Sequence, residues 1–464
     1  MNSADKIREN AKKYLDVAYR FKAFGTEYVV LPSRFYNEVR RIPESRGSLM
    51  AFFREAFNAH WAGMPSHTQE MMRAVSVDLS RHIPSIINQR QRDCAKACED
   101  NIGDCPEWKE ITVYKALQSI AVTINASALV GSELGHDKRW IRHIQRLTPG
   151  VAFPTMILSY VPDFLKLLLK PLLFIPIRYT RFVLKRLLVP VLKQDLAELS
   201  GLGKPTIVND KLALSSFLLN RYSSSAGTLR DPISQIASDI LDISLESTPS
   251  TSGTLYWILM ELAADPALVK ALRDEISAVT KSQGGKLPAT HLNELRLMDS
   301  VMRESIRVNC FSHIILYRRL LEPFTLTPSW DHKIPTLPAG TTIAVDAHAI
   351  NFSPELWGPN DPYVFDAYRH FNARKKKGDE NKYKFANLGF DSPHWGDGTQ
   401  ACPGRMFADN TIKVVLTHLL QNYDWRFRTE KGESRKPEKG QMSNGSMYPN
   451  MSAKLMFRNR QKGE

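Results

Sequence analysis

One cysteine in this 464-residue chain sits in a setting that could do chemistry. In Asn387 to Asp409, NLGFDSPHWGDGTQACPGRMFAD, Cys402 closes a loop broken by Gly396 and Gly398. The glycines remove side chains where a backbone must pass close to something flat and bulky, and Pro403 fixes the chain just before Gly404 and Arg405. Met406, Phe407, Ile412, Val415, Leu416, Leu419 and Leu420 then recur at helical spacing, with one face to bury. A cysteine ahead of a helix N-terminus lies near the positive end of the macrodipole and near backbone N–H donors, which favour thiolate over thiol. Such a thiolate is a candidate axial ligand for a haem iron. The alternative is a buried, inert cysteine in a turn.

A second pattern is Glu304-x-x-Arg307 in LMDSVMRESIRV, where the spacing predicts a helix and puts acid and base on one face. On its own this is common on solvated helices. Its position ahead of the cysteine loop, with Phe365-Asp366-Ala367-Tyr368-Arg369 between, gives it meaning. Trp395-Gly396-x-Gly398-x-Gln400-x-Cys402-Pro403-Gly404-Arg405 resembles the haem-binding loop of the cytochrome P-450 superfamily, the haem-thiolate monooxygenases. The family usually has Phe at Trp395 and a basic residue at Gln400; Gln400 can hydrogen-bond a haem propionate but not neutralise it. The Ala-Cys-Pro-Gly-Arg core, the Met-Phe-Ala after it and Tyr423-Asp424-Trp425 resemble fungal microsomal members most.

The resemblance implies haem b (iron protoporphyrin IX), with Cys402 on the metal and Trp395, Gly396, Gly398, Gln400, Gly404 and Arg318 in the cofactor site. It also implies that Glu304 and Arg307 lock to Arg369 as a structural network.

These residues need elements to hold them. Ile233 to Ala263 reads as a long helix ending at Ala264-Asp265-Pro266. The resemblance makes it the family's central helix I, with the haem between it and the cysteine loop of helix L, in a mainly α fold with a smaller β portion. Counting back from Glu261-Leu262-Ala263, the family's oxygen-activating acid and threonine fall within Glu246 to Thr251. Here Pro249 takes the acid position and Ser250 the threonine position, with Thr251 next. Glu246, Ser250 and Thr251 are therefore the catalytic candidates, and Pro249 predicts a kink or opened turn. Thr26 to Pro32 reads as a short strand, and Leu49 to Ile87 as mostly helical. His67, Arg73 and His82 in that stretch could reach a propionate, with solvated positions the plainer expectation. Phe324–Leu326 and Thr341–Val345 read as strands.

At 43% hydrophobic and 24% charged, the chain can bury a large core, and no linker or repeat divides it, so 1–464 reads as one catalytic domain. Five cysteines make no disulfide framework in a chain this long. Cys94, Cys98 and Cys105 read as ordinary thiols in a polar loop, not a metal site. The formal charge of +14 admits an anionic membrane or an acidic protein, but no nucleic-acid-binding pattern is present. Val151 to Leu192 interleaves leucines with lysine and arginine, and its prolines and charges forbid a membrane-spanning helix, so it suits the plane of a bilayer or an ordinary helix pair. The first residues are polar; microsomal relatives begin with a membrane helix, so the expectation is a native anchor removed here. Arg374-Lys375-Lys376-Lys377 is a second basic cluster, which the resemblance places near the face where a reductase docks.

The resemblance thus implies a monomeric monooxygenase on the cytosolic face of the endoplasmic reticulum membrane. It would oxidise an apolar fungal secondary metabolite such as a terpenoid, polyketide or alkaloid, with O2 and electrons from a NADPH-cytochrome reductase. The alternative is a haem-thiolate isomerase or lyase working on a peroxide, or by rearrangement, without a reductase.

Overall fold

The computed structural model describes residues 17–461 apart from positions 24, 66, 202–212, 225–230, 282–283, 328–335, 359, 431–432, 436, 439 and 444–445. The polar first sixteen residues lie outside the described part. The helices that build the interior are α1 (Leu49–Ala56), α2 (Ser80–Asn101), α3 (Val113–Val130), α4 (Leu147–Ser159), α5 (Asp163–Leu173), α6 (Ile175–Gly201), α7 (Leu214–Ser224), α8 (Pro232–Leu262), α9 (Pro266–Thr280), α10 (Arg296–Val308), α11 (Arg369–Ala373) and α12 (Arg405–Asn422). The strands are β1 (Tyr19–Ala23), β2 (Thr26–Leu31), β3 (Gly47–Ser48), β4 (Lys109–Thr112), β5 (Ile314–Leu320), β6 (Thr342–Asp346), β7 (Tyr423–Arg426) and β8 (Lys454–Asn459), beside three two-stranded ribbons among the described residues. The larger sheet runs β1-β2-β6-β5-β3 and the smaller β4-β8-β7.

The long helix α8 organises the rest. Its start is fixed by Asp231, whose carboxylate accepts the Ser234 N–H at 3.1 Å, with Pro232 in the first helical position. Asp265 repeats the device for α9 by accepting the Leu268 N–H at 2.9 Å. The two halves of α8 belong to different apolar clusters. Ile236 to Leu245 packs with α4, α6 and α7, whereas Leu255 to Leu262 packs with α2, α3, α9, α10 and α12. Between them lies Glu246 to Thr254, with no large apolar side chain. A helix surrounded by packing needs apolar residues on all sides, so this polar interval marks where α8 faces something other than core.

Helix α3 is long and apolar enough to cross a membrane, yet nearly all its side chains are buried inside the protein, which explains its composition. Cys94 and Cys98 are buried on α2, one turn apart, and not in a polar loop as expected. Strand β5 was not anticipated from the sequence, since its pairing with β6 is decided by distant residues. The basic apolar segment splits in two. On α6, Ile177, Leu184, Leu188 and Leu192 are fully buried, as is Phe174 just before it, whereas no side chain of α5 is buried. Phe164, Leu167, Leu168 and Leu172 stand 63–77% exposed, a contiguous apolar face on one short helix.

Candidate active site

The cysteine loop is held from both ends. The Cys402 N–H donates to the Trp395 carbonyl at 2.8 Å, and the Trp395 indole N–H donates to the Phe385 carbonyl at 2.8 Å, so the loop folds back on a fixed aromatic. Arg405 closes it by donating to the Cys402 carbonyl at 3.1 Å. Gly396 and Gly398 both have positive φ, 68° and 67°. A Cβ at Gly398 would collide with the Arg40 carbonyl, so its close neighbour is backbone and not a flat ligand as expected. Gly404 differs: a Cβ there would meet only the Val75 Cγ1 at 3.8 Å. Gln400 corrects a second expectation. Its amide donates to the Ile42 and Gly47 carbonyls at 3.0 and 2.9 Å and its oxygen accepts the Leu49 N–H at 2.8 Å, so both donors are spent pinning the start of α1 and neither is free for a propionate.

Burial pushes the Cys402 thiol up to about 11, against the N–H groups of Gly404 and Arg405 and the Arg405 charge, which pull it down. The helix N-terminus alone therefore does not make the thiolate expected from sequence: removing the sulfur from water costs more than two N–H donors return. A coordinated cation would, because a metal-bound thiol is deprotonated outright. The charge of Glu246, in the polar interval of α8, also acts on this thiol and raises it.

On α8, Asp242, Glu246 and Ser250 follow one another at single-turn spacing. Ser250 is exposed and its hydroxyl donates to the Glu246 carbonyl at 3.1 Å, while Thr251 is buried. Pro249 lies inside a helix that continues past it. Thr248, Ser252 and Thr254 donate to carbonyls four residues back at 2.7–2.9 Å, holding the helix around the missing N–H. Glu246 is half-exposed and its Oε1 lies 2.9 Å from the Nε2 of His67, which is only 10% exposed. Sequence reading put His67 in solvent; nothing in its neighbourhood along the chain signals a partner on α8. His82 is turned away, bonded to the Asp78 carbonyl at 2.8 Å, and Arg73 is exposed.

Glu304, Arg307 and Arg369 meet in the interior. Arg307 bonds both Glu304 oxygens at 2.7 and 2.8 Å, Arg369 reaches Oε1 at 3.0 Å, and the Asp366 N–H adds a bond at 3.0 Å. Burial opposes ionisation, but Arg307, the strongest of the opposing partners, holds the Glu304 carboxyl far below the usual carboxylate range. Arg374, expected in an exposed basic cluster, is buried and bonds Asp299 at 3.0 Å; only Lys375, Lys376 and Lys377 face solvent.

The family model of cytochrome P-450 matches residues 55–456. The chain belongs to the cytochrome P-450 family. A monooxygenase of this family from Pyricularia oryzae is 49% identical over 459 residues, covering 98% of this chain and 81% of the relative. The monooxygenase cheG of Chaetomium globosum is 53% identical over 353 residues, covering 75% of this chain and 99% of that one. Pyrichalasin C-18 hydroxylase of Pyricularia grisea is 37% identical over 431 residues, 92% of this chain and 78% of that one. Membership makes the chain a haem-thiolate monooxygenase that uses a substrate and a redox partner.

The cytochrome P-450 haem is flat, apolar and carries two propionates, and the residues here fit it. Arg318 is 1% exposed, donates to the Tyr317 carbonyl at 2.8 Å, and leaves Nε and Nη2 without a protein partner. Burial pushes Arg318 down to about 10, with only Glu44 acting the other way. A buried guanidinium with two unused donors suits a carboxylate. The open space at Gly404 and the apolar side of Val75 suit a ring.

Proposed function

We propose that Cys402 would be the thiolate ligand of a haem b, that Arg318 would hold a propionate, and that Glu246 and Ser250 would handle protons for the reaction. One observation carries this: the buried Arg318 keeps Nε and Nη2 without a protein partner, as a propionate site requires, while the Cys402 N–H on the Trp395 carbonyl fixes the cysteine loop ahead of α12. Bound there, the haem supplies O2 activation and insertion of one oxygen atom into a C–H bond. The chain's own part is positioning and proton handling. The cysteine's N–H bond to the Trp395 carbonyl fixes the loop before any ligand arrives. Ser250, at the threonine position, orients a proton that Glu246 provides, since Pro249 has none to give. Gly396, Gly398 and Gln400 shape the loop, while Glu304, Arg307 and Arg369 hold the segments beneath it.

The substrate class we propose is an apolar fungal secondary metabolite hydroxylated at carbon, which the name of the pyrichalasin relative supports. Electrons would come from a NADPH-dependent reductase at the lysine face around Lys375. The exposed leucines of α5, ringed by Lys166 and Lys170, favour insertion in an anionic bilayer, and with it the cytosolic face of the endoplasmic reticulum. The reading is tested by the reduced carbon monoxide difference spectrum. Wild-type protein shows the thiolate-ligated haem band and Cys402→Ser lacks it; the band persisting in Cys402→Ser removes the assignment.

A further inference from the structure

A buried histidine that the sequence left in solvent sits on the proposed proton donor. His67 precedes the helical turn that starts at Gln69, capped by Thr68, whose hydroxyl accepts the Met71 N–H at 3.1 Å. The cap anchors the backbone beside His67, and the ring reaches α8, where Nε2 meets Glu246 at 2.9 Å; Nδ1 is buried with no protein partner. Around it, α8 offers Glu246, Asp242 and Asp239. From α6, Arg181 bonds Asp242 at 2.6 Å, and Lys185 is close enough to Asp242 to feel its charge. From α7, the Tyr222 hydroxyl donates to Asp239 at 2.6 Å and contacts Thr68 at 2.5 Å. Of the three carboxylates, Asp242 is committed to an arginine and Asp239 to a phenol and to Gln235, at 2.7 Å. Glu246 alone is half in the open, and its bonded partner is a histidine.

We infer that His67 is the positioning and proton-feeding residue for Glu246, the pair replacing the acid that Pro249 displaced. The inference rests on the proposed relay through Glu246 and Ser250. One proton passes from the imidazolium Nε2 to the Glu246 Oε1, leaving neutral imidazole and neutral carboxyl, and solvent restores the imidazolium. No heavy-atom bond changes and no oxidant is consumed. Glu246 and Ser250 stand one helical turn apart, about 5–6 Å between Cβ atoms, a gap of the size that one water can bridge. Geometry also explains why a histidine serves here: it exchanges protons near neutral pH, which a lysine or arginine in its place would not. Burial lowers the proton affinity of His67, but the bond to Glu246 and the charges of Glu246, Asp242 and Asp239 outweigh it, so the ring binds its proton above the usual 6.5. A raised histidine is fully charged below its ordinary value and loses its proton as pH rises through the folded one, so the feed fails on the alkaline side.

Two measurements on the haem-loaded enzyme test this. Ring-carbon NMR of histidine in the ferrous carbonyl form follows the His67 titration without turnover. The His67 midpoint should lie above that of free histidine in wild type and fall in Glu246→Gln; an unmoved midpoint overturns the pair. Peroxide released per NADPH is then followed from about pH 6 to 9, where histidine titrates. Wild type should leak more peroxide as pH rises. His67→Gln should leak at every pH with product formation reduced on the order of 100-fold, the lower end of what a positioned acid contributes. His67→Gln with wild-type coupling and pH profile overturns the inference. If Ser250→Ala and Glu246→Gln also leave peroxide release unchanged, the relay itself is wrong; if they raise it while His67→Gln does not, only the role of His67 fails.

Discussion

Replacing Glu304 with alanine removes a fully buried carboxylate that accepts four hydrogen bonds, two from Arg307 and one each from Arg369 and the Asp366 N–H, with His370 at 3.3 Å. What remains is two guanidinium groups in the interior, Arg307 with only the carbonyls of Asn351, Pro362 and Val364 and the faces of Trp357 and Phe352, and Arg369 with the Trp357 carbonyl. Breaking a buried pair from one side costs about 3–5 kcal/mol, a large share of the 5–15 kcal/mol that keeps a protein folded. His370 does not offset the loss: burial pushes it down to about 4, so it is neutral at pH 7 and brings no charge. The folded Glu304 carboxyl is held low, so its contribution is complete above its ordinary 4.5 and is lost only as pH falls toward the folded value. The gap between Glu304→Ala and wild type should therefore be constant from about pH 6 to 8. Urea unfolding followed by circular dichroism, with haem retention read from the Soret band, measures it. A variant within about 1 kcal/mol of wild type, inside the range of a surface ion pair, refutes this account of the network.

Two glycines of the cysteine loop should respond differently. Gly398→Ala must place a Cβ against the Arg40 carbonyl at φ 67°, a backbone cost of about 1–2 kcal/mol before the clash, and should lower the melting temperature of haem-free protein; Gly404→Ala should leave that temperature unchanged and reduce haem uptake. Equal melting temperatures for Gly398→Ala and wild type would contradict the packing reason. On α5, changing Leu167, Leu168 and Leu172 to Gln should reduce co-sedimentation with anionic vesicles without altering thermal stability, whereas Phe174→Gln, at a fully buried position, should destabilise the protein itself. Vesicle binding unchanged in the triple variant would leave general positive charge as the cause.

What was legible in the sequence is what local spacing dictates. The bounds of α8, the helical run around Glu304, the helix after Cys402, the strand at Thr26 and the pairing of Glu304 with Arg307 follow from caps, apolar period and i, i+3 geometry, and each depends on neighbours within a few residues. The cysteine loop was legible for the same reason: its glycines, proline and following helix lie in one short run. Tertiary structure decided everything that needs two distant segments. Gln400 looks like a cofactor ligand in its motif, but the carbonyls of Ile42 and Gly47 claim it. Arg374 belongs to a run of basic residues by sequence and to Asp299 by packing. The same leucine-rich stretch supplies core residues on α6 and an outward face on α5, since which side of a helix is covered depends on what folds against it. His67 and Glu246 are far apart along the chain, and no periodicity joins them. Their meeting, and the sign of the Cys402 shift, come from burial, a property of the assembled interior that residue order alone does not contain.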